Sequence, residues 1–180
     1  MRINKSFFHT GIFTIAIIFL GFSLFRIFLM PKPANNLSPN ITTASLFESV
    51  INDPEGNPQK LKQFQNKIIV LNFWATWCEP CREEMPELSH FYIENRSRNV
   101  VVVGIAIDEE KAVKSYLENT KVAYPLLVDE DKGIVLGKNL GNNEGILPYT
   151  VIINAQGAVL STIRGRVGKD QLNAILKPKI

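Results

Sequence analysis

Cysteine and histidine are nearly absent from this 180-residue chain, which has two of each. A zinc site draws about four ligands. The chain offers Cys78, Cys81, His9 inside an apolar N-terminal stretch, and His90 well beyond the second thiol, a set that argues against zinc. Covalent haem attachment needs a His directly after a Cys pair, and Arg82 stands there instead. Acidic residues are missing from the first 36 positions, which carry Arg2, Lys5, Arg26 and Lys32. The rest of the chain is left with 16 basic against 17 acidic residues, a balance near −1, although the whole chain is at +3. A nucleic-acid role therefore has no electrostatic footprint in the folded part. Internal repeats and low-complexity tracts are also lacking.

Formal charge is missing from one long run, the nineteen residues Phe7 to Phe25, rich in Ile, Phe and Leu. That length spans a bilayer's hydrocarbon as a helix, so residues 1–30 are expected to form a single transmembrane signal-anchor. The rival is a cleaved signal peptide, but Arg26 to Asn36 offers no small-x-small cleavage site and the run exceeds a usual h-region. Arg2 and Lys5 before the span nearly balance Arg26 and Lys32 after it, so the positive-inside count does not choose the side on which the domain lies. Residues 31–40, with Pro31, Pro33 and Pro39, read as an extended linker. The remainder, 41–180, is about 140 residues, enough for one domain that buries its own core.

Within that domain, Ala44 to Ile51 predicts a strand entering the turn Asp53-Pro54-Glu55-Gly56-Asn57, with a short helix or turn at Leu61 to Phe64. Ile68 to Phe73 is continuously apolar, as a strand buried on both faces should be. Pro80 to Asn95 places Met85, Leu88, Phe91, Tyr92 and Ile93 at largely helical spacing, with Pro86 inside. A second buried strand at Val100 to Ile107 follows, and a strand–helix–strand order demands a parallel pair. A polar helix at Glu109 to Asn119, a strand at Tyr124 to Val128 and a helix near Ile134 to Leu140 come next. Tyr149 to Ile153 and Ala158 to Arg164 form a hairpin across Asn154 to Gly157, and Lys169 to Leu176 closes the chain as a helix. The fold class is α/β.

The two cysteines are separated by two residues in Trp77-Cys78-Glu79-Pro80-Cys81-Arg82, at the carboxyl end of a central strand and the start of a helix. That spacing lets the sulfurs open and close a disulfide, so thiol–disulfide exchange is the leading reading. A purely structural bridge across so short a loop would remove little chain entropy. A thiolate at a helix N-terminus is favoured by unpaired N–H groups and the helix dipole. Cys78 is thus the candidate nucleophile and Cys81 the resolving thiol. Pro80 removes a donor that the first turn leaves unpaired anyway.

The run Val70-Leu71-Asn72-Phe73-Trp74-Ala75-Thr76-Trp77-Cys78-Glu79-Pro80-Cys81-Arg82-Glu83-Glu84, with Pro86 and Gly145-Ile146-Leu147-Pro148-Tyr149-Thr150, resembles the thioredoxin-like proteins of the TlpA, ResA and CcmG/DsbE type. The likeness covers the soluble domain. It implies a thioredoxin-like fold with a central αβ insertion at about Glu109 to Asn139, and a membrane-tethered thiol:disulfide oxidoreductase outside the cytoplasm. In a bacterium that is the periplasmic side of the inner membrane. It further implies protein substrates, apocytochrome c among the candidates, a membrane electron donor of the DsbD/CcdA type, and no cofactor beyond the Cys pair. Pro148 matches the family's cis-proline, and Leu147 before it offers backbone to substrate. Trp77, Glu79 and Pro80 complete the expected substrate-contact surface. Glu84 matches an active-site Glu that tunes the thiols or handles protons, and a solvated helix carboxylate is the alternative.

Two departures stand out. Asn72 replaces the buried Asp of thioredoxin and cannot carry its proton, which moves that task to Glu84. Tyr149 follows the proline where Thr is common, at a place linked to substrate choice. A peroxiredoxin on a related fold would want Pro seven and Thr three residues before the Cys, where this chain has Leu71 and Ala75. A tethered binding module that holds apo-protein segments without turnover is the alternative from another class.

Overall fold

The computed structural model describes residues 42–177. The expected anchor over 1–30 and linker over 31–40 lie outside the described residues. Among the described residues no helix is long and apolar enough to cross a membrane.

A short helix, α1 (Ala44–Glu48), leads into a hairpin of β1 (Val50–Asn52) and β2 (Pro58–Lys60). A 3-10 segment (Leu61–Phe64) precedes β3 (Ile68–Trp74), which is followed by α2 (Glu79–Asn95) and β4 (Val100–Ala106). Then come α3 (Glu110–Glu118), β5 (Leu126–Val128), α4 (Glu130–Asn139), β6 (Tyr149–Ile153), β7 (Val159–Arg164) and α5 (Lys169–Leu176). The strands form one mixed sheet in the order β2-β1-β5-β4-β3-β6-β7.

β3 and β4 pair in parallel over seven residues, from Ile68 opposite Val100 to Trp74 opposite Ala106, and every residue of both strands is buried. Alternate side chains of a strand point to opposite faces, and this builds two cores. Ile68, Val70 and Trp74 pack with Met85, Leu88 and Phe91 of α2, Val113 of α3, and Leu172 and Leu176 of α5. Ile69, Leu71 and Phe73 pack on the other face with Leu46 of α1 and Leu136 of α4. Gly104, opposite Asn72, is fixed by close approach: a Cβ there would sit 2.6 Å from Leu126 Cδ2 and 3.3 Å from Trp74 Nε1.

Three expectations shift. The strand read over Ala44 to Ile51 is half helix, because Leu46 turns into the second core at 2% exposure while only Val50–Asn52 pairs in the sheet; a short apolar run does not distinguish the two. The turn after it holds, since Asp53 Oδ1 accepts the N–H groups of Glu55 and Asn57 at 3.1 and 2.8 Å. Helix α4 begins four residues before Ile134, where Asp129 caps it by accepting from Lys132 N at 2.9 Å; its first turn is polar and carries no hydrophobic period. Ile93, counted from the sequence with the apolar face of α2, is 51% exposed. The stretch expected to hold the αβ insertion contains α3, β5 and α4, and β5 lies in the sheet between β4 and β1.

Candidate active site

β3 ends at Trp74, and the chain turns through Ala75 to Trp77 before α2 begins. Cys78 is the N-cap of that helix, with extended backbone, and its Sγ accepts the N–H of Cys81 at 3.3 Å. Pro80 sits in the first turn, where a missing N–H leaves no helix bond unmade. Cys78 and Cys81 are disulfide-bonded with Cα atoms 5.3 Å apart. Cys78 retains 6% exposure and Cys81 none, so of the two residues only the first reaches the surface. Trp77, Glu79 and Pro80 are exposed around it, Trp77 at 68%.

Glu84 is not a solvated carboxylate. It is 0% exposed on the inner face of α2, in the stripe that includes Cys81, Met85, Leu88 and Phe91. Its Oε1 accepts from Asn72 Nδ2 at 2.7 Å and its Oε2 from the backbone N–H of Val167 at 2.7 Å. Burial pushes its pKa up from 4.5 to about 7, against the lowering effect of those two bonds and of Arg166. The segment that supplies Val167 is pinned along α2, with Arg166 paired to Glu83 at 2.6 Å and Lys169 N–H on Glu87 at 3.3 Å.

The Leu147–Pro148 bond is cis. Tyr149 pairs with Phe73 at the end of β3, so Pro148 stands at the edge of the sheet from which the cysteine turn departs. Pro148 is buried and Leu147 half-buried, packed against the cluster that contains both cysteines. Tyr149 points away from this edge. It lies in the opposite core at 1% exposure, donates to Leu140 O at 2.9 Å, and packs on Phe73 with ring centroids 6.3 Å apart. The residue that departs from the family pattern is thus part of the core packing.

The AhpC/TSA family model matches residues 39–162. The chain belongs to the AhpC/TSA family. It is 30% identical over 181 residues to the thiol-disulfide oxidoreductase ResA of Bacillus cereus, with 98% of each chain covered. A thiol:disulfide interchange protein of the thioredoxin family from Chlorobium tepidum superposes with a TM-score of 0.61 at 28% identity, over 72% of this chain and 91% of that one. A secreted Mycobacterium tuberculosis disulfide oxidoreductase, homologous to Escherichia coli DsbE, has the same fold with a TM-score of 0.63 at 24% identity, over 75% and 98%. Together with the bonded Cys pair, these likenesses make this AhpC/TSA-family protein a thioredoxin-like thiol–disulfide oxidoreductase of the ResA and DsbE type.

Several residues that build this AhpC/TSA-family site are silent in the sequence. Asp108, just past β4, accepts the N–H and hydroxyl of Thr76 and the N–H of Glu109. Arg82 donates to Thr76 O at 2.6 Å from the other side. Thr150 accepts from Asn72 Nδ2 at 3.0 Å. Asp108, Thr150 and Val167 lie far from the cysteines in sequence, and only the sheet order joins them. Glu84 alone carried a local signal, a carboxylate on the apolar stripe of its own helix. Among the described residues no group of three or more His, Cys, Asp or Glu is placed to hold a metal ion.

Proposed function

We propose that the protein is a membrane-tethered disulfide reductase that works outside the cytoplasm on protein thiols, with apocytochrome c among its candidate clients. The observation that carries this reading is the buried Glu84 carboxyl, one helical turn from the buried Cys81 and shifted to about pKa 7. A carboxylate near a forming thiolate opposes it, and Glu79 adds the same sign nearby, while the Glu83 charge is offset by Arg166. Destabilised thiolates favour the disulfide form of the enzyme, which makes the dithiol form a reductant.

In the forward direction the Cys78 thiolate attacks a client disulfide, forming a mixed disulfide and expelling one client sulfur as thiolate. Cys81, having given up its proton, attacks Sγ of Cys78 and expels the second client sulfur. Two electrons pass to the client, two protons complete its thiols, and the Cys78–Cys81 disulfide remains. Glu84, one helical turn along α2, takes the proton from Cys81 in this scheme. Trp77, Glu79, Pro80, Leu147 and Pro148 form the surface against which an extended client segment lies. A membrane donor of the DsbD/CcdA type recharges the pair, and residues 1–30 tether the 41–180 domain through the linker 31–40. A peroxidase reading lacks its Pro and Thr, for which Leu71 and Ala75 stand.

Disulfide reduction by the full-length protein, lost in Cys78→Ala, separates this enzyme from a binding module that holds clients without turnover. In native cells Cys81→Ala should accumulate client joined to Cys78, and a reporter fused after Ile180 should give the signal of an extracytoplasmic end. Undiminished reduction by Cys78→Ala, or a cytoplasmic reporter signal, would overturn the corresponding part.

A further inference from the structure

Asn72 is the one side chain of β3 that is neither aliphatic nor aromatic. It lies between Glu84 and Thr150, and all three are 0% exposed. Its Nδ2 donates to Glu84 Oε1 at 2.7 Å and to Thr150 Oγ1 at 3.0 Å. The other oxygen of Glu84 is committed, because the Val167 N–H that reaches Oε2 at 2.7 Å can only donate. A proton arriving on Glu84 therefore belongs on Oε1, and the new O–H needs an acceptor where Asn72 Nδ2 now stands.

An amide can supply that acceptor. A half-turn about Cβ–Cγ exchanges Nδ2 and Oδ1 in place and brings Oδ1 opposite both Glu84 and Thr150. The Thr150 hydroxyl follows, since it can accept in one arrangement and donate in the other. Asn72 Oδ1 has no partner in the arrangement with Nδ2 on Glu84. After the half-turn Nδ2 takes that place, so each orientation leaves one amide atom unpaired and the surroundings lock neither. A second carboxylate here would crowd Glu84 with like charge, and an apolar side chain would leave Oε1 without a partner in either state.

We propose that Asn72, backed by Thr150, is the positioning residue that holds Glu84 in both its protonated and its ionised form, the amide turning over as the proton comes and goes. The inference rests on the proton-handling role proposed for Glu84 and deepens it. Other groups around Glu84 leave this titration to it. Arg166 is paired to Glu83 at 2.6 Å. Glu87 faces the N–H of Lys169. Tyr124, ahead of β5, is held neutral by burial, and the Cys78–Cys81 pair on the same helix does not titrate while bonded.

Nuclear magnetic resonance of the oxidised full-length protein in detergent micelles tests it, following the Glu84 carboxyl carbon and the Asn72 side-chain amide protons against pH. The Asn72 amide protons should lose their contacts to Thr150 as Glu84 gains its proton, with one midpoint for both. Glu84→Gln should hold Asn72 in the turned orientation at every pH, because the substituted amide must offer its carbonyl to Val167 and its NH2 to Asn72. Thr150→Val takes a partner from the amide N–H only in the ionised arrangement and should raise the Glu84 midpoint by about 0.5, whereas Thr150→Ser should not. Asn72 contacts that stay constant through a Glu84 titration, or that keep the ionised-state pattern in Glu84→Gln, overturn the inference and leave the proton role of Glu84 standing. A Glu84 that is fully ionised down to about pH 5 removes both.

Discussion

Asp108 holds Thr76 twice, accepting its backbone N–H at 2.8 Å and its hydroxyl at 2.6 Å across 32 residues of sequence. The turn that carries Trp77 and Cys78 is thereby fastened to the end of β4, while Arg82 secures the Thr76 carbonyl from α2. The same turn is closed by the Cys78 N–H, which donates to Ala75 O at 3.2 Å.

Removing this restraint should lower stability. Thr76→Val deletes the hydroxyl bond at a cost of about 1 kcal/mol, and Asp108→Ala leaves the Thr76 N–H and the Glu109 N–H without their acceptor, at about 1–3 kcal/mol. Urea unfolding of the oxidised full-length protein measures both. Losses within a few tenths of wild type would mean that water replaces the carboxylate freely.

Thiol exposure predicts an order of reaction. In the reduced protein Cys78 should be alkylated well before Cys81, because only the first residue has any exposed surface and it alone caps the helix. Mass spectrometry after brief alkylation reads the order. Labelling of Cys81 first would reverse the assignment of nucleophile and resolving thiol.

Burial of Glu84 makes stability depend on pH with a definite sign. Its carboxyl titrates near 4.5 when unfolded and at about 7 when folded, so between those values the folded chain holds a proton that the unfolded chain has released. Its contribution is complete below about pH 4.5 and is lost as pH rises through 7. The loss amounts to about 3 kcal/mol. Glu84→Gln lacks this dependence, so the wild-type stability relative to the variant should fall by that amount from about pH 4.5 to about pH 8. Parallel curves for the two proteins would place the carboxyl in contact with solvent.

The same charge is expected to act on the thiols. Replacing Glu84 with Gln should lower at least one macroscopic thiol pKa by on the order of one unit, because the repulsion between carboxylate and thiolate disappears. Thiolate absorbance against pH, wild type beside variant, gives the shift. Titrations that coincide to within a few tenths would remove Glu84 from the redox chemistry.

The sequence by itself determined the local features. The Cys pair with Pro80 between its members, the helix start at the first thiol, the apolar β3 and β4 and the hairpin of β6 and β7 were all legible. Each is written in consecutive residues or in a period of 2 or 3.6, and neighbouring backbone enforces it. The insertion of β5 between β4 and β1, the helical start at Ala44 and the inward turn of Tyr149 were not legible, since they depend on which surface a side chain meets after packing. The same holds for the environment of Glu84. Its position three residues after Cys81 is visible in the chain, but its burial and its bonds to Asn72 and Val167 required β3, α2 and the segment before α5 to come together. A carboxyl's pKa follows from the water it loses and the donors it gains. Tertiary structure decided both, because the donors come from residues 12 and 83 positions away along the chain.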